Sequence, residues 1–284
     1  MFTVITTTYN GNGYLPKLFS MIEANTLSLQ KVYPDMQVEY LLVNDSPWEE
    51  LALPKTEGLH FQCRTITNPE NYGIHKSRAV AIREASGDLI TILDQDDQLA
   101  GDFLLSQYEA LGDGDAVICN GIKEFDTGNK AIYRDRLKMS LINCKCFYLK
   151  AANQIVSPGQ CLMRKSAVPE KWLDNPLTVN GSDDLFLWLL MLDQGTRFVK
   201  NPKKLYTHKQ VGNNLSNSLR KMCRSDLQMC RLMRQKQLIQ EKDIHKRERL
   251  CAFLERCGYR NRPVASTLLR YADIMLLKFF AYYI

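Results

Sequence analysis

The stretch LITILDQDD, residues 89–97, decides how the rest of this sequence is interpreted. Its apolar and β-branched residues, Leu89–Leu93, predict a fully buried strand. Three carboxylates follow within four residues: Asp94, Asp96 and Asp97. Carboxylates this close repel one another, and a divalent cation with oxygen ligands, Mg²⁺ or Mn²⁺, is the simplest compensation. The alternative is an acidic turn that only caps the next helix.

The sequence on both sides of this stretch alternates between strand and helix patterns. Strands are predicted at 2–7, 38–43, 61–66, 89–93 and 116–120, with helices at 14–22, 74–85 and 103–110. Alternation without an internal repeat predicts an α/β fold, a mostly parallel sheet with helices on both faces. Ligands of such sheets bind at the carboxyl ends of the strands. We therefore expect Thr7, Tyr9, Asp45 and the acidic cluster to converge at one edge.

The second half of the chain offers a second acidic site. A strand is predicted at 155–164, an apolar helix at 183–192, strand pieces at 198–199 and 205–206, and basic helices from 218 onward. Asp183 and Asp184 open the helix, where they either complement its dipole or supply a general base. His208 precedes a polar segment with Asn214 and Ser216, and it could bind a metal or a phosphate, although a lone histidine is more often a packed or exposed one.

Composition limits the class of protein. The 284 residues are 45% hydrophobic and 24% charged, which is typical of a globular protein with about two domains or one large domain with an appendage. Nine cysteines without a CxxC pair argue against a disulfide scaffold or a zinc module. The N-terminus lacks the pattern of a signal peptide, and no apolar run reaches the length that spans a bilayer, so we expect a cytoplasmic protein.

Charge is distributed unevenly along the chain. The net charge of +6 combines −6 over residues 1–202 with +12 over residues 203–284. The C-terminal part is therefore expected to meet an anionic membrane surface, a nucleic acid or a phosphorylated substrate, or to be a solvated helical face. It contains no nucleic-acid-binding motif, which argues against nucleic acid. The aromatic and aliphatic stretch 271–284 suits a membrane interface, packing onto the domain, or a homodimer contact through the C-terminal helices.

Taken in order, these motifs resemble the family 2 glycosyltransferases of the GT-A fold, which are inverting nucleotide-sugar transferases of bacterial surface polysaccharide synthesis. The segments that carry the resemblance are TVITTTYN (3–10), LVNDS (42–46), NYG to SRA (71–79), ASGD (85–88), LDQDD (93–97), GSDD (181–184) and the segment from Tyr206 and His208 to Ser216. Thr7 and Asn44 depart from the usual proline and acid. The resemblance implies a catalytic domain over 1–216, with a nucleotide-sugar half (1–120) and an acceptor half (121–216). Residues 217–284 remain as a basic amphipathic helical extension.

The resemblance also implies a role for each matching residue. Binding of the nucleotide sugar, most commonly a UDP-sugar, is implied for Thr7, Tyr9, Asp45, Arg78, Asp94 and Gln95. Metal binding is implied for Asp96, Asp97 and His208, with Mn²⁺ or Mg²⁺ as the cofactor. Asp184 is implied as the base that activates a hydroxyl of a glycan or lipid-linked glycan acceptor, and Asp183 as its support.

Two other classes of function are considered. A metal-dependent nucleotidyltransferase acting on sugar phosphates is expected to carry a glycine-rich, basic phosphate loop near its first strand. Residues 9–14 here have only Lys17 nearby. A non-catalytic nucleotide-binding module gives no reason for a second carboxylate pair at Asp183 and Asp184. The ordered set of motifs therefore favours the transferase.

Overall fold

The computed structural model describes residues 1–209, 218–259 and 270–283. Within these ranges the strands are β1 (Phe2–Thr8), β2 (Val38–Asn44), β3 (Gln62–Thr67), β4 (Leu89–Ile92), β5 (Gln98–Leu99), β6 (Ala116–Phe125), β7 (Gly128–Ala131), β8 (Cys161–Arg164) and β9 (Phe198–Lys209). The α-helices are α1 (Leu15–Val32), α2 (Gly73–Glu84), α3 (Phe103–Leu111), α4 (Arg136–Ser140), α5 (Lys145–Lys150), α6 (Glu170–Leu173), α7 (Asp183–Asp193), α8 (Leu219–Gln235), α9 (Glu241–Tyr259) and α10 (Ala272–Tyr283).

These strands form one sheet in the order β3-β2-β1-β4-β8-β6-β9-β5, with β7 paired to β6. Strands β3, β2, β1 and β4 are parallel, as the strand and helix alternation predicts, and β6 is parallel to β9. Strand β8 is antiparallel to both of its neighbours, and β5 is antiparallel to β9. The sheet is therefore parallel in its first half and mixed beyond β4. The carboxyl ends of β1, β2 and β4 lie at one edge.

The strand predicted at 155–164 is wrong in its first part, because only Cys161–Arg164 is extended. Pro158 has no N–H for a ladder hydrogen bond and opens a 3₁₀ turn instead. The Ser157 hydroxyl accepts a hydrogen bond from the Gly159 N–H at 3.1 Å. A Cβ on Gly159 would lie 2.7 Å from the ring of Tyr206, so the turn passes directly over β9. This turn brings Ser157 to the acidic cluster.

The two strand pieces predicted near residue 200 are one continuous strand, β9. Its pairing with β6 shifts register between Cys119 and Gly121, and this irregularity accommodates Pro202 within the strand. Beyond the bulge the ladder resumes and delivers Tyr206 and His208 to the edge where the acidic cluster lies.

Helices cover both faces of the sheet. Alternate residues of β1 point to opposite faces, so Val4 packs with α1 and α3 in one core, and Ile5 packs with α2 and α7 in the other. The second core also contains Met229 and Met233 of α8, which therefore shares a core with the sheet and with α7. Within the described residues, no helix combines the length and hydropathy needed to cross a membrane.

Candidate active site

One buried guanidinium joins the two acidic segments of the chain. Arg78 lies on α2 and is 5% exposed. Its Nη1 donates to Asp183 Oδ2 at 2.6 Å, and its Nη2 donates to Asp94 Oδ1. Burial opposes the charge, but Asp94 and Asp183 outweigh it and raise the pKa of Arg78. The turn after β4 and the first turn of α7 are thereby held around one cation.

The second carboxylate of α7 has a different environment. Asp184 Oδ2 accepts a hydrogen bond from Asn153 Nδ2 at 2.8 Å, and its Oδ1 accepts the Leu185 N–H at 2.6 Å. Burial, and then the charge of Asp183, raise the pKa of Asp184. A raised pKa makes the ionised form of a carboxylate a stronger base. The pair therefore divides into one acid bound in an ion pair and one suited to accept a proton.

The end of the acidic turn is tied to β9. Asp97 is 2% exposed; its Oδ2 accepts from the Tyr206 hydroxyl, and its Oδ1 lies 3.1 Å from His208 Nδ1. Burial raises the pKa of Asp97. Burial alone would lower the pKa of His208, but the hydrogen bond and charge of Asp97 outweigh it and the net shift is upward. A proton on Nδ1 toward Asp97 leaves Nε2 of His208 available to a ligand.

The remaining carboxylate of the turn faces a cleft. Asp96 lines a cavity of about 310 Å³ together with Tyr14, Lys17 and Lys209. Burial and the charge of Asp94 raise the pKa of Asp96. Burial and the nearby Lys209 lower the pKa of Lys17. The cleft thus pairs a carboxylate that resists ionisation with cations that favour an anionic ligand.

The side chains beside this cleft fit a divalent metal ion whose coordination is completed by oxygens of the substrate. No group of three His, Cys, Asp or Glu side chains in the described part of the chain forms a ready-made ion site. Mg²⁺ and Mn²⁺ are usually bound through one or two carboxylates plus substrate phosphates, which Asp96 and the Nε2 of His208 can satisfy. Asp97, the third residue predicted to bind the metal, accepts the Tyr206 hydroxyl on one oxygen and lies against His208 with the other, and its direct ligation stays a prediction.

Two of the predicted nucleotide-binding residues organise the edge of the sheet. Asp45 accepts the N–H groups of Tyr72 at 2.7 Å and Gly73 at 2.9 Å, and so holds the N-terminus of α2. Gln95 Oε1 accepts the Tyr9 N–H at 3.0 Å, and its Nε2 donates to the Tyr9 carbonyl at 3.3 Å. The turns after β1 and β4 are joined in this way. Thr7 is half-buried at the same edge.

Sequence reasoning missed several residues at this edge. Trp48 is 62% exposed and packs edge-to-face on Tyr9 with ring centroids 5.7 Å apart. Lys209 and Asn153 reach the site only through the register of β9 and the irregular segment before β8. No local pattern marks these positions, because each contact joins distant parts of the chain. Asn214 and Ser216, which the resemblance placed after His208, lie outside the described residues.

The comparison with family models decides the class. The model of a family described as Glycosyl transferase family 2 matches residues 3–170. The chain belongs to glycosyltransferase family 2. This confirms the resemblance and selects a glycosyltransferase over a nucleotidyltransferase. The search of curated proteins gives no match.

Solved structures confirm the GT-A fold. S. aureus TarS 1–349 in complex with UDP-GlcNAc has a TM-score of 0.60 and 15% identity, covering 96% of this chain and 79% of that one. The mannosyltransferase PcManGT from Pyrobaculum calidifontis in complex with GDP-Man and Mn²⁺ has a TM-score of 0.57 and 15% identity. The match covers 99% of this chain and 84% of the mannosyltransferase chain. The structural likeness therefore continues past residue 170, where the family match ends.

The central role of Arg78 predicts an unequal effect of two substitutions on one helix. Arg78→Met leaves Asp94 and Asp183 without their shared cation, and losing one partner of a buried pair costs about 3–5 kcal/mol. Arg83→Met removes an exposed ion pair with Asp174, worth at most about 1 kcal/mol. Urea unfolding measures the free energy of unfolding of both variants. An equal decrease in the free energy of unfolding would show that Arg78 does not join the two segments.

Proposed function

We propose that this chain is an inverting glycosyltransferase that moves a sugar from a nucleoside-diphosphate sugar, by preference a UDP-sugar, to a hydroxyl of a glycan or lipid-linked glycan. The observation that carries the proposal is the Arg78 bridge, because it brings a donor-side acidic turn and a candidate base into one site. The fold is shared with proteins solved with UDP-GlcNAc and with GDP-Man.

The donor would lie along the carboxyl edge of the parallel strands. Thr7, Tyr9 and Asp45, with Gln95 beside Tyr9, would hold the nucleobase and ribose, and Asp94 would accept a ribose hydroxyl. Lys17 and Lys209 line the cleft and would supply positive charge for the diphosphate. A bound Mg²⁺ or Mn²⁺, held by Asp96 and His208 with phosphate oxygens, would stabilise the negative charge that develops on the leaving group. Both Nη atoms of Arg78 are engaged, so it would act on the nucleotide through Asp94.

The transfer is a single displacement. The acceptor oxygen attacks the anomeric carbon opposite the diphosphate, and the new C–O bond forms as the old one breaks. The diphosphate departs with the bonding electron pair, and the acceptor proton moves to the Asp184 carboxylate. The sugar passes through an oxocarbenium-like state. Asp184 is a weak base toward a resting alcohol, but it suffices because the hydroxyl becomes acidic as its oxygen bonds to carbon.

Metal-dependent nucleotide binding should require Asp96. Calorimetry with UDP and Mn²⁺ is expected to show binding to the wild type and at least a tenfold loss in Asp96→Ala. Asp102 is an exposed acid shortly after the acidic turn, and the control variant Asp102→Ala should bind UDP with Mn²⁺ as tightly as the wild type does. Equal affinity of wild type and Asp96→Ala, tested also with GDP and dTDP, would contradict the assignment.

Removing the base should affect the rate and spare donor binding. Asp184→Asn keeps the size of the side chain and should lower the transfer rate about 10²–10⁴-fold, as is typical of a lost general base. The matched control is Asp193→Asn at the other end of α7, which should retain the wild-type rate. Release of UDP from UDP-GlcNAc, or of GDP from GDP-mannose, with Mn²⁺ measures the same displacement with water in place of the acceptor hydroxyl, and the same loss is expected there. If Asp183→Asn abolishes turnover while Asp184→Asn does not, the base is the neighbouring residue.

We also propose that α10 holds the enzyme against the cytoplasmic face of an anionic membrane, where a lipid-linked acceptor would be available. The helix is fixed to the domain through Lys150 and Asp273, 2.8 Å apart, and through the fully buried Ile274. It nevertheless exposes Leu276, Phe279 and Phe280 by 58%, 57% and 42%. Apolar insertion and the +12 charge of residues 203–284 are two weak signals that together hold a protein reversibly at a bilayer.

Vesicle flotation tests the membrane proposal. The wild type should float with phosphatidylglycerol vesicles at low salt, stay behind with phosphatidylcholine vesicles, and be released by high salt. Leu276→Ser with Phe280→Ser should abolish flotation, whereas Leu27→Ser, an exposed leucine on α1, should not. Failure of the wild type to float with anionic vesicles would contradict the membrane proposal. A wild type that is dimeric in solution, together with a double variant that is monomeric, would instead indicate that α10 forms a contact between two copies of the chain.

A further inference from the structure

Helix α8 is bonded directly to the loop that precedes the candidate base. Ser225 Oγ donates to the Val179 carbonyl at 2.7 Å and accepts the Ser182 N–H at 3.1 Å. Gln228 Oε1 accepts the Val179 N–H at 2.9 Å. These bonds satisfy backbone groups that a loop would otherwise present to water. The path of residues 179–182 is therefore set by a helix of the C-terminal extension.

Close approach of the backbone strengthens this connection. Gly181 has φ +130°, in the region that favours glycine, and a Cβ there would lie 2.9 Å from Met222 Sδ of α8. A side chain at this position would strain the backbone and displace Met222, so glycine favours the contact of the loop with α8.

Ser182 makes an unexpected hydrogen bond for its position. It is the N-cap of α7, where a serine hydroxyl usually accepts an N–H from the first turn of its own helix. Here the hydroxyl donates to Asp226 Oδ1 of α8 at 2.7 Å and makes no capping bond. The residue immediately before Asp183 and Asp184 is thus tied to α8 at the expense of the local cap.

The acceptor of that bond is itself fixed from a third helix. Asp226 Oδ2 accepts from Arg247 Nη2 of α9 at 2.5 Å, and both side chains are less than 10% exposed. Arg247 Nη1 donates to the Tyr148 carbonyl of α5 at 2.7 Å. A buried ion pair offers little net stability over apolar packing, but losing one partner is costly, so the pair fixes the geometry around it.

We propose that Asp226 and Arg247 are positioning residues of the transferase, which act through Ser182 to set the first turn of α7 and hence the Asp184 carboxylate. This inference rests on the proposed function. It makes the C-terminal helices part of the catalytic geometry, although neither residue reaches the reacting atoms. A displacement of about 1 Å at a reacting group can cost up to a hundredfold in rate, so the link has a measurable effect.

The test compares three variants by release of UDP from UDP-GlcNAc and of GDP from GDP-mannose, each with Mn²⁺. Ser182→Ala removes only the hydroxyl that reaches Asp226, and Asp226→Asn removes the charge that Arg247 pairs with. Both should lower kcat about 10- to 100-fold while KM for the donor stays within twofold. Glu248→Gln is the matched control, because Glu248 joins the same two helices through Arg234 at 2.7 Å and is absent from the bonds to residues 179–182. Its kcat should stay within twofold of the wild type.

A double variant separates positioning from a general loss of structure. If Ser182 acts through Asp184, adding Ser182→Ala to Asp184→Asn should lower the residual rate by less than twofold. If the two defects are unrelated, the rate loss of the double variant should equal the product of the two single losses. A kcat of Ser182→Ala within twofold of the wild type, or multiplicative losses, would overturn the inference even if Asp226→Asn fails to fold. Absence of turnover and of donor binding in the wild type would instead overturn the proposed function.

Discussion

The burial of Arg78 between two carboxylates is the constraint on which the rest of the site depends. A guanidinium that is 5% exposed loses most of its hydration, and only paired acids make that burial tolerable. Asp94 follows β4 and Asp183 opens α7, so moving either segment takes one of its two carboxylates away from the buried guanidinium. Helix α2 carries the cation, and Asp45 fixes the N-terminus of that helix at the end of β2. The sheet therefore sets the position of α7 through one helix.

The first turn of α7 lies between two buried ion pairs. Arg78 holds Asp183 from the side of the parallel sheet, and the Asp226–Arg247 pair holds Ser182 from the side of the C-terminal helices. Asp184, the next residue, is left with Asn153 and its own helix as partners. The residues before Asp184 are thus fixed, whereas Asp184 itself has only uncharged hydrogen-bond partners. This arrangement suits a general base, because a direct ion pair would lower the pKa of the carboxylate and so its basicity.

Sequence patterns predicted the elements whose signals are local. The apolar run before Asp94, the β-branched opening strand and the acidic start of α7 all lie where their periodicity places them, because burial of a strand or helix face depends on neighbouring residues. The strand predicted across Pro158 was wrong, because a missing N–H outweighed apolar composition. The contacts of Asn153, Trp48 and Asp226 had no local signal, since each depends on a partner at least 21 residues away. The boundary between catalytic domain and extension was predicted at residue 216 from the end of the motifs. In the structure one hydrophobic core contains residues from both sides of that boundary, among them Leu185 and Met233.

Donor binding and base positioning therefore depend on different parts of the chain. The residues proposed to meet the nucleotide sit at the ends of β1, β2 and β4, and adjacent parallel strands fix their spacing. The proposed base sits in the first turn of a helix, and the side-chain hydrogen bonds of its neighbours Asp183 and Ser182 are made with side chains of α2 and α8, the latter fixed by Arg247 of α9. Arg247 and its buried partner Asp226 both belong to residues 203–284, so their pair leaves the +12 of that segment unchanged. The net charge of the segment therefore describes its attraction to anionic partners, whereas the role of Arg247 in the site depends on a contact that a charge count does not contain.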